Sequence, residues 1–141
     1  LAIQVLFHLE FSPGDSEEVF DLICDNFHAR EPIRSFAKTL VVGVCENKED
    51  LDRLITRASK NWRLERMPRL DRCILRLAVL ELLNMEDIPP KVSIDEAVEL
   101  GKRYGAEDSS SFINGVLDKV YTILAQEGRL KGKNETGPIK E

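Results

Sequence analysis

Between Leu70 and Leu83, ten of fourteen residues are apolar, and they fall on nearly every side of any helix drawn through them. Asp71, Arg72, Arg76 and Glu81 are the interruptions. The run is rich in Leu, Ala, Arg and Glu, which lose little side-chain freedom in a helix, and it holds two β-branched residues, so helix is favoured over a buried strand. From 70 to 85 the helix would be a rod of about 24 Å. A helix that is apolar all round must be wrapped by others, which makes this the expected central helix of an all-α domain. Four charges in fourteen residues argue against a membrane span, which needs about 20 apolar residues with few charges.

The flanking segments read as helices that could do the wrapping. Residues 1 to 11 place Leu1, Val5, Leu6 and Leu9 on one face before Ser12, Pro13 and Gly14 stop the pattern. A second helix starts near Asp15 or Ser16, with Val19, Phe20, Leu22, Ile23 and Phe27 as its apolar positions. Pro32 suits the first turn of a third, whose apolar face is Ile33, Phe36, Ala37, Leu40, Val41 and Val44. Gly43 inside it marks a close helix crossing, because interior glycine otherwise costs about 1 kcal/mol. A fourth, capped by Asn47, runs from Lys48 to near Lys60, unless it is continuous with the third. After the central helix, Pro89 and Pro90 enforce an extended turn. Ser93 and Glu96 then form a capping box for a helix with Ile94, Ala97, Val98, Leu100 and Tyr104 on its core face, stopped by Gly105. The last helix spans about Ser109 to Ala125, capped by Asp108 or Ser109.

Residues 1 to 126 therefore read as one domain of six to seven helices packed as two small subdomains around the buried central helix, and 127 to 141 as a disordered polar tail. The chain has 141 residues, enough to bury about two thirds of its unfolded surface without staples. Cys24, Cys45 and Cys73 fall in apolar-periodic positions with neither CxxC nor metal spacing and read as reduced core thiols of a cytoplasmic protein. The first residues lack a signal-peptide pattern. With no initiator Met, a native segment is expected to precede Leu1.

Catalytic chemistry has little support. His8 and His28 lie on different helices without a carboxylate or cysteine at catalytic or metal spacing, no glycine-rich phosphate loop occurs, and the serines of GAEDSSSFING lack a positioned base. A binding module with no cofactor and no metal is the expectation. Net charge is −5, which argues against a polyanion partner, but the charge is segregated. Eight basic residues lie between Arg53 and Arg76 against Glu65 and Asp71. That run faces RNA, a protein partner or solvent.

Three blocks, in order, resemble the NusB family of bacterial transcription antitermination factors: LAIQVLF, then NWRLERMPRLDRCILRLAVLELL, then KVSIDEAVELGKRYGAEDSSSFINGVLDKVY. The resemblance covers about residues 1 to 125. It implies an all-α fold of two helical subdomains and binding of boxA RNA together with NusE, the small-subunit ribosomal protein. It also implies a role in the RNA polymerase antitermination complex on ribosomal-RNA operons, and a homodimer in some members. Family members carry an arginine-rich segment before the LxxQxLF-like turn, and much RNA contact is expected of it.

Within the third block, the serines at 109 to 111 open a helix whose free N–H groups suit a phosphate. Phe112 lies at the border of that helix's apolar arc, as a core residue or as a platform for an unpaired base; the family match favours the platform. Lys119 adjoins it. Asp108 is expected to cap the helix and to accept a hydrogen bond from a base, and Gln4 is a further RNA contact by resemblance. For NusE, the resemblance points to Phe7, Glu65, Asp71 and Arg72. Arg76, flanked by apolar residues, is either a partner contact or half of a structural ion pair. Two other readings stay open: the RNA-recognition domain of a ribosomal-RNA methyltransferase, and a structural homo-oligomer.

Overall fold

The computed structural model describes residues 2–11, 16–26, 28–60 and 64–130. Among them are seven α-helices and no strand: α1 Ala2–Phe11, α2 Ser16–Asn26, α3 Ile33–Glu46, α4 Lys48–Ala58, α5 Arg69–Asn84, α6 Pro90–Tyr104 and α7 Ser109–Gln126. A single 3₁₀ turn, Leu64–Arg66, precedes α5. Phe27, Trp62 and the segment 131–141 lie outside the described residues, as do the turn residues Ser12, Pro13 and Gly14.

Helix α5 is the axis, as its composition requires. Its residues from Cys73 to Leu82 are buried without a break, including Arg76 and Glu81. It packs on α1 and α3 on one side and on α4, α6 and α7 on the other. Helices α1, α2 and α3 contact one another, and α7 lies against α4, α5 and α6, so the two expected subdomains meet along α5. Gly43 of α3 crosses α5 closely: a Cβ there would stand 2.8 Å from Leu80 Cδ2.

Several local expectations change. Helix α6 begins at Pro90, not at a Ser93 cap, because Pro89 is extended and Pro90 already holds the φ that a first helical residue needs. Ser93 is therefore inside the helix and 1% exposed, so the Ser93–Glu96 capping box does not form. Tyr104, expected in the core, is 54% exposed, and Ile33 and Phe36 of α3 are 63% and 49% exposed; of the three thiols expected in the core, Cys24 and Cys73 are buried and Cys45 is exposed. Asn47 does separate α3 from α4, but its amide donates back to the Gly43 carbonyl at 2.8 Å instead of capping α4. The start of the expected tail is packed: Leu130 is buried, and Glu127 meets Arg57 of α4 at 2.7 Å.

Candidate nucleic-acid interface

The start of α7 is held from beneath. Gly105 ends α6 with its N–H on the Gly101 carbonyl at 3.0 Å, in an extended and not a left-handed conformation. The chain then turns back so that Ser109 Oγ accepts the Ala106 N–H at 2.9 Å and donates to Asp71 Oδ1 at 2.9 Å. Both side chains are buried. Burial pushes the Asp71 carboxyl above the ordinary range; the Ser109 bond opposes this and the nearby Asp108 charge adds to it.

This corrects two assignments. The Ser109 N–H, expected to be free for a phosphate, donates to the Ala106 carbonyl at 3.1 Å and the hydroxyl is spent on Asp71, and Asp71 does not carry its charge to the surface for a partner. Asp108 is the residue before α7, but its carboxylate makes no capping bond; it is exposed, with its carbonyl taking the Phe112 N–H at 3.1 Å.

One turn on, the helix opens into a groove of about 310 Å³ between the end of α4 and α7. Phe112, Lys119, Ser111 and Gly115 line it from α7, and Lys60 and Ser59 from the end of α4. Phe112 is half-buried, which settles its ambiguous place on the helical wheel: it belongs partly to the core and partly to the groove wall. A groove that holds an aromatic ring and two lysines is suited to a stacked base whose flanking phosphates are met by lysine. Lys60 was not singled out from the sequence; its membership of the basic run was the available signal.

The rest of that run divides. Arg53 pairs with Asp50 and Glu49, Arg57 with Glu127, and Arg76 with Asp52. Arg76 is 5% exposed and bidentate, Nε to Asp52 Oδ1 at 2.7 Å and Nη2 to Oδ2 at 3.1 Å, so it is structural and not a surface contact. Phe7 on α1 and Arg72 on α5 are half-buried, and Glu65 on the 3₁₀ turn is exposed. Gln4 is not part of the groove, and its Oε1 is closed off from solvent with no hydrogen-bond partner.

The model of the NusB family matches residues 1–122. The chain belongs to the NusB family. The transcription antitermination protein NusB of Desulforapulum autotrophicum is 48% identical over 125 residues, 87% of this chain and 87% of that protein. That of Geobacter sulfurreducens is 43% identical over 129 residues, 91% and 94% of the two chains. Among solved structures, T. maritima NusB superposes with a TM-score of 0.80 at 39% identity, covering 86% of this chain and 85% of that one. A crystal structure of antitermination factors NusB and NusE in complex with dsRNA gives a TM-score of 0.79 at 26% identity, covering 86% and 91%.

The described residues of this NusB-family chain are all-α. Among the described residues no group of three or more His, Cys, Asp or Glu is placed to hold a metal ion. No helix there is long and apolar enough to cross a membrane.

Proposed function

We propose that this chain is a transcription antitermination factor that binds boxA-type RNA jointly with NusE and acts, in the cytoplasm, within the RNA polymerase complex on ribosomal-RNA operons. Family membership over residues 1–122 supports the reading, and the groove lined by Phe112, Lys60 and Lys119 together is the observation that carries it here. In this reading Phe112 stacks on a base, the two lysines meet phosphates, and the exposed Asp108 accepts from a base amine. Phe7, Glu65 and Arg72 are the proposed NusE contacts. A NusB–NusE pair on RNA has been crystallised with a chain 26% identical to this one.

The test is binding of a fluorescent boxA-type RNA and a scrambled control, with and without NusE, at two salt concentrations. The expected result is a preference for boxA that strengthens with NusE. Equal, salt-sensitive binding to both RNAs in all conditions would overturn the specific claim.

A further inference from the structure

Among the described residues three glycines stand inside helices, and the protein itself explains two of them. A Cβ on Gly43 would stand 2.8 Å from Leu80 Cδ2, and one on Gly101 would stand 2.9 Å from Ile113 Cδ1. Gly115 of α7 is different. It is exposed, its φ is not positive, and among the described residues a Cβ built on it meets nothing within 4 Å. Any L residue fits such a position. Glycine there weakens the 18-residue helix relative to alanine, because it loses the most backbone freedom on folding. Neither packing nor backbone conformation in the described chain offsets that cost, so the space above Gly115 is itself the feature to explain.

That space belongs to the groove of about 310 Å³ between the end of α4 and α7. Phe112, Gly115 and Lys119 follow one another at three and four residues and so share one face of α7. Phe112 and Lys119 are about 10 Å apart along the helix axis, and Gly115 lies between them. Lys60, in the turn after α4, lines the same groove, and no described lining residue is acidic. Cations without a carboxylate suit a phosphate-bearing ligand better than a basic or apolar protein segment. A stretch of helix backbone bare of side chain lets such a ligand lie directly against it.

We propose that Gly115 is the close-approach position of the RNA site: the nucleotide whose base stacks on Phe112 lays its ribose against the backbone of α7 at Gly115, and Lys119 meets its phosphate. The inference rests on the RNA-binding reading of this groove and adds to it a residue that acts by having no side chain. With a side chain at 115 the sugar is held off the helix, and stacking on Phe112 and contact with Lys119 are no longer made together. The role is steric, so its loss grows with side-chain size while the number of phosphates met by lysine stays the same.

The test is fluorescence anisotropy of a boxA-type RNA with the parent chain, Gly115→Ala, Gly115→Leu and Asn114→Ala, at several salt concentrations and alongside urea unfolding of each. Asn114 is the control, exposed on the same helix and outside the groove lining. Gly115→Ala is expected to weaken binding about threefold and Gly115→Leu about thirtyfold, with the slope of log K against log salt unchanged. Both are expected to be at least as stable as the parent, since alanine and leucine are better helix formers than glycine. Asn114→Ala is expected to bind as the parent does. A loss of affinity in a stabilised variant does not come from a damaged fold. Gly115→Leu binding RNA as tightly as the parent would overturn the proposal and leave the antitermination reading standing; a parent that binds no RNA would overturn both. Gly115→Ala unfolding more easily than the parent would also overturn it, because the chain itself would then fill the space. So would a parent dimer in sedimentation that Gly115→Leu dissolves, since the space would belong to a second copy.

Discussion

The Ser109 hydroxyl donates to Asp71 Oδ1 across 2.9 Å and so ties the first turn of α7 to the first turn of α5. The proposed RNA-facing residues Asp108 and Phe112 flank one end of this bond, and the proposed NusE-facing Arg72 adjoins the other. The bond is a mechanical link between the two proposed binding faces. Removing its donor leaves a buried carboxylate and the Ala106 N–H without their partner, so Ser109→Ala is expected to cost about 2–3 kcal/mol in urea unfolding. Asp71→Asn keeps an acceptor for the hydroxyl and is expected to cost less. Equal losses for the two variants would show that the hydrogen bond is not what holds the turn.

The same pair predicts a pH dependence. Burial raises the Asp71 carboxyl above its value in the unfolded chain, so the native state binds more protons than the unfolded chain between the two values. Stability from this group is complete below the unfolded value and declines as pH rises through the folded one. Glu127, held low by Arg57 and Arg129, acts in the opposite sense: its contribution is present above the unfolded value and is lost as pH falls. Asp71→Asn removes only the first component. The stability of Asp71→Asn relative to the parent should therefore rise as pH is raised from about 4 to about 7, measured by urea unfolding at each pH. A flat difference would mean that Asp71 titrates normally.

How legible this was from the sequence depended on whether a residue's role is set locally. The apolar run around Leu75 and Val79 forces a wrapped helix whatever surrounds it, and Gly43 at its crossing followed from the cost of interior glycine. Asp71 and Arg76 were different. A charge on an apolar helix is equally compatible with a partner outside and with an internal mate, and the mates Ser109 and Asp52 are distant in sequence. Ser93 and Glu96 matched a cap by spacing, but Pro90 starts the helix earlier. Phe112 could not be placed by periodicity because it is half in the core, and the groove needs Lys60, from the turn after α4, to complete it.

Arg76 of α5 and Asp52 of α4 form an enclosed ion pair, with side chains 6% and 22% exposed. A buried charge left without its counterion is expensive, so Asp52→Ala is expected to destabilise by about 3 kcal/mol in chemical denaturation. Replacing both partners by apolar residues of similar size, as in Arg76→Met with Asp52→Leu, should recover much of that loss. If the double variant is as unstable as Asp52→Ala, the pair contributes by some means other than charge compensation.

For the groove on α7, affinity and salt dependence separate the roles. Phe112→Ala is expected to weaken boxA-type RNA by about 1–3 kcal/mol with little change in the salt slope, as loss of a stacking platform does. Lys60→Ala and Lys119→Ala should each reduce the slope of log K against log salt by about one. Anisotropy titrations at four or more salt concentrations resolve the two patterns. An unchanged slope for both lysine variants would place the phosphates elsewhere.

Gly105 is where the steric demands of this turn concentrate. Its φ of −94° is open to any residue, so its backbone is not the reason for glycine. The reason is contact: a Cβ would lie 2.7 Å from Ser109 Cβ and Oγ and 2.8 Å from the Gly101 carbonyl oxygen. Ser109 could rotate only by giving up Asp71, and the carbonyl belongs to α6 and cannot move aside. Gly105→Ala is thus expected to cost about 2 kcal/mol and to lower RNA affinity although Phe112, Lys60 and Lys119 remain intact. Gly115→Ala provides the contrast, since a Cβ there meets nothing within 4 Å. It should stabilise the helix by up to about 1 kcal/mol. Thermal unfolding of the two variants side by side distinguishes packing at the turn from helix propensity, and equal effects at both positions would rule out the contact as the cause.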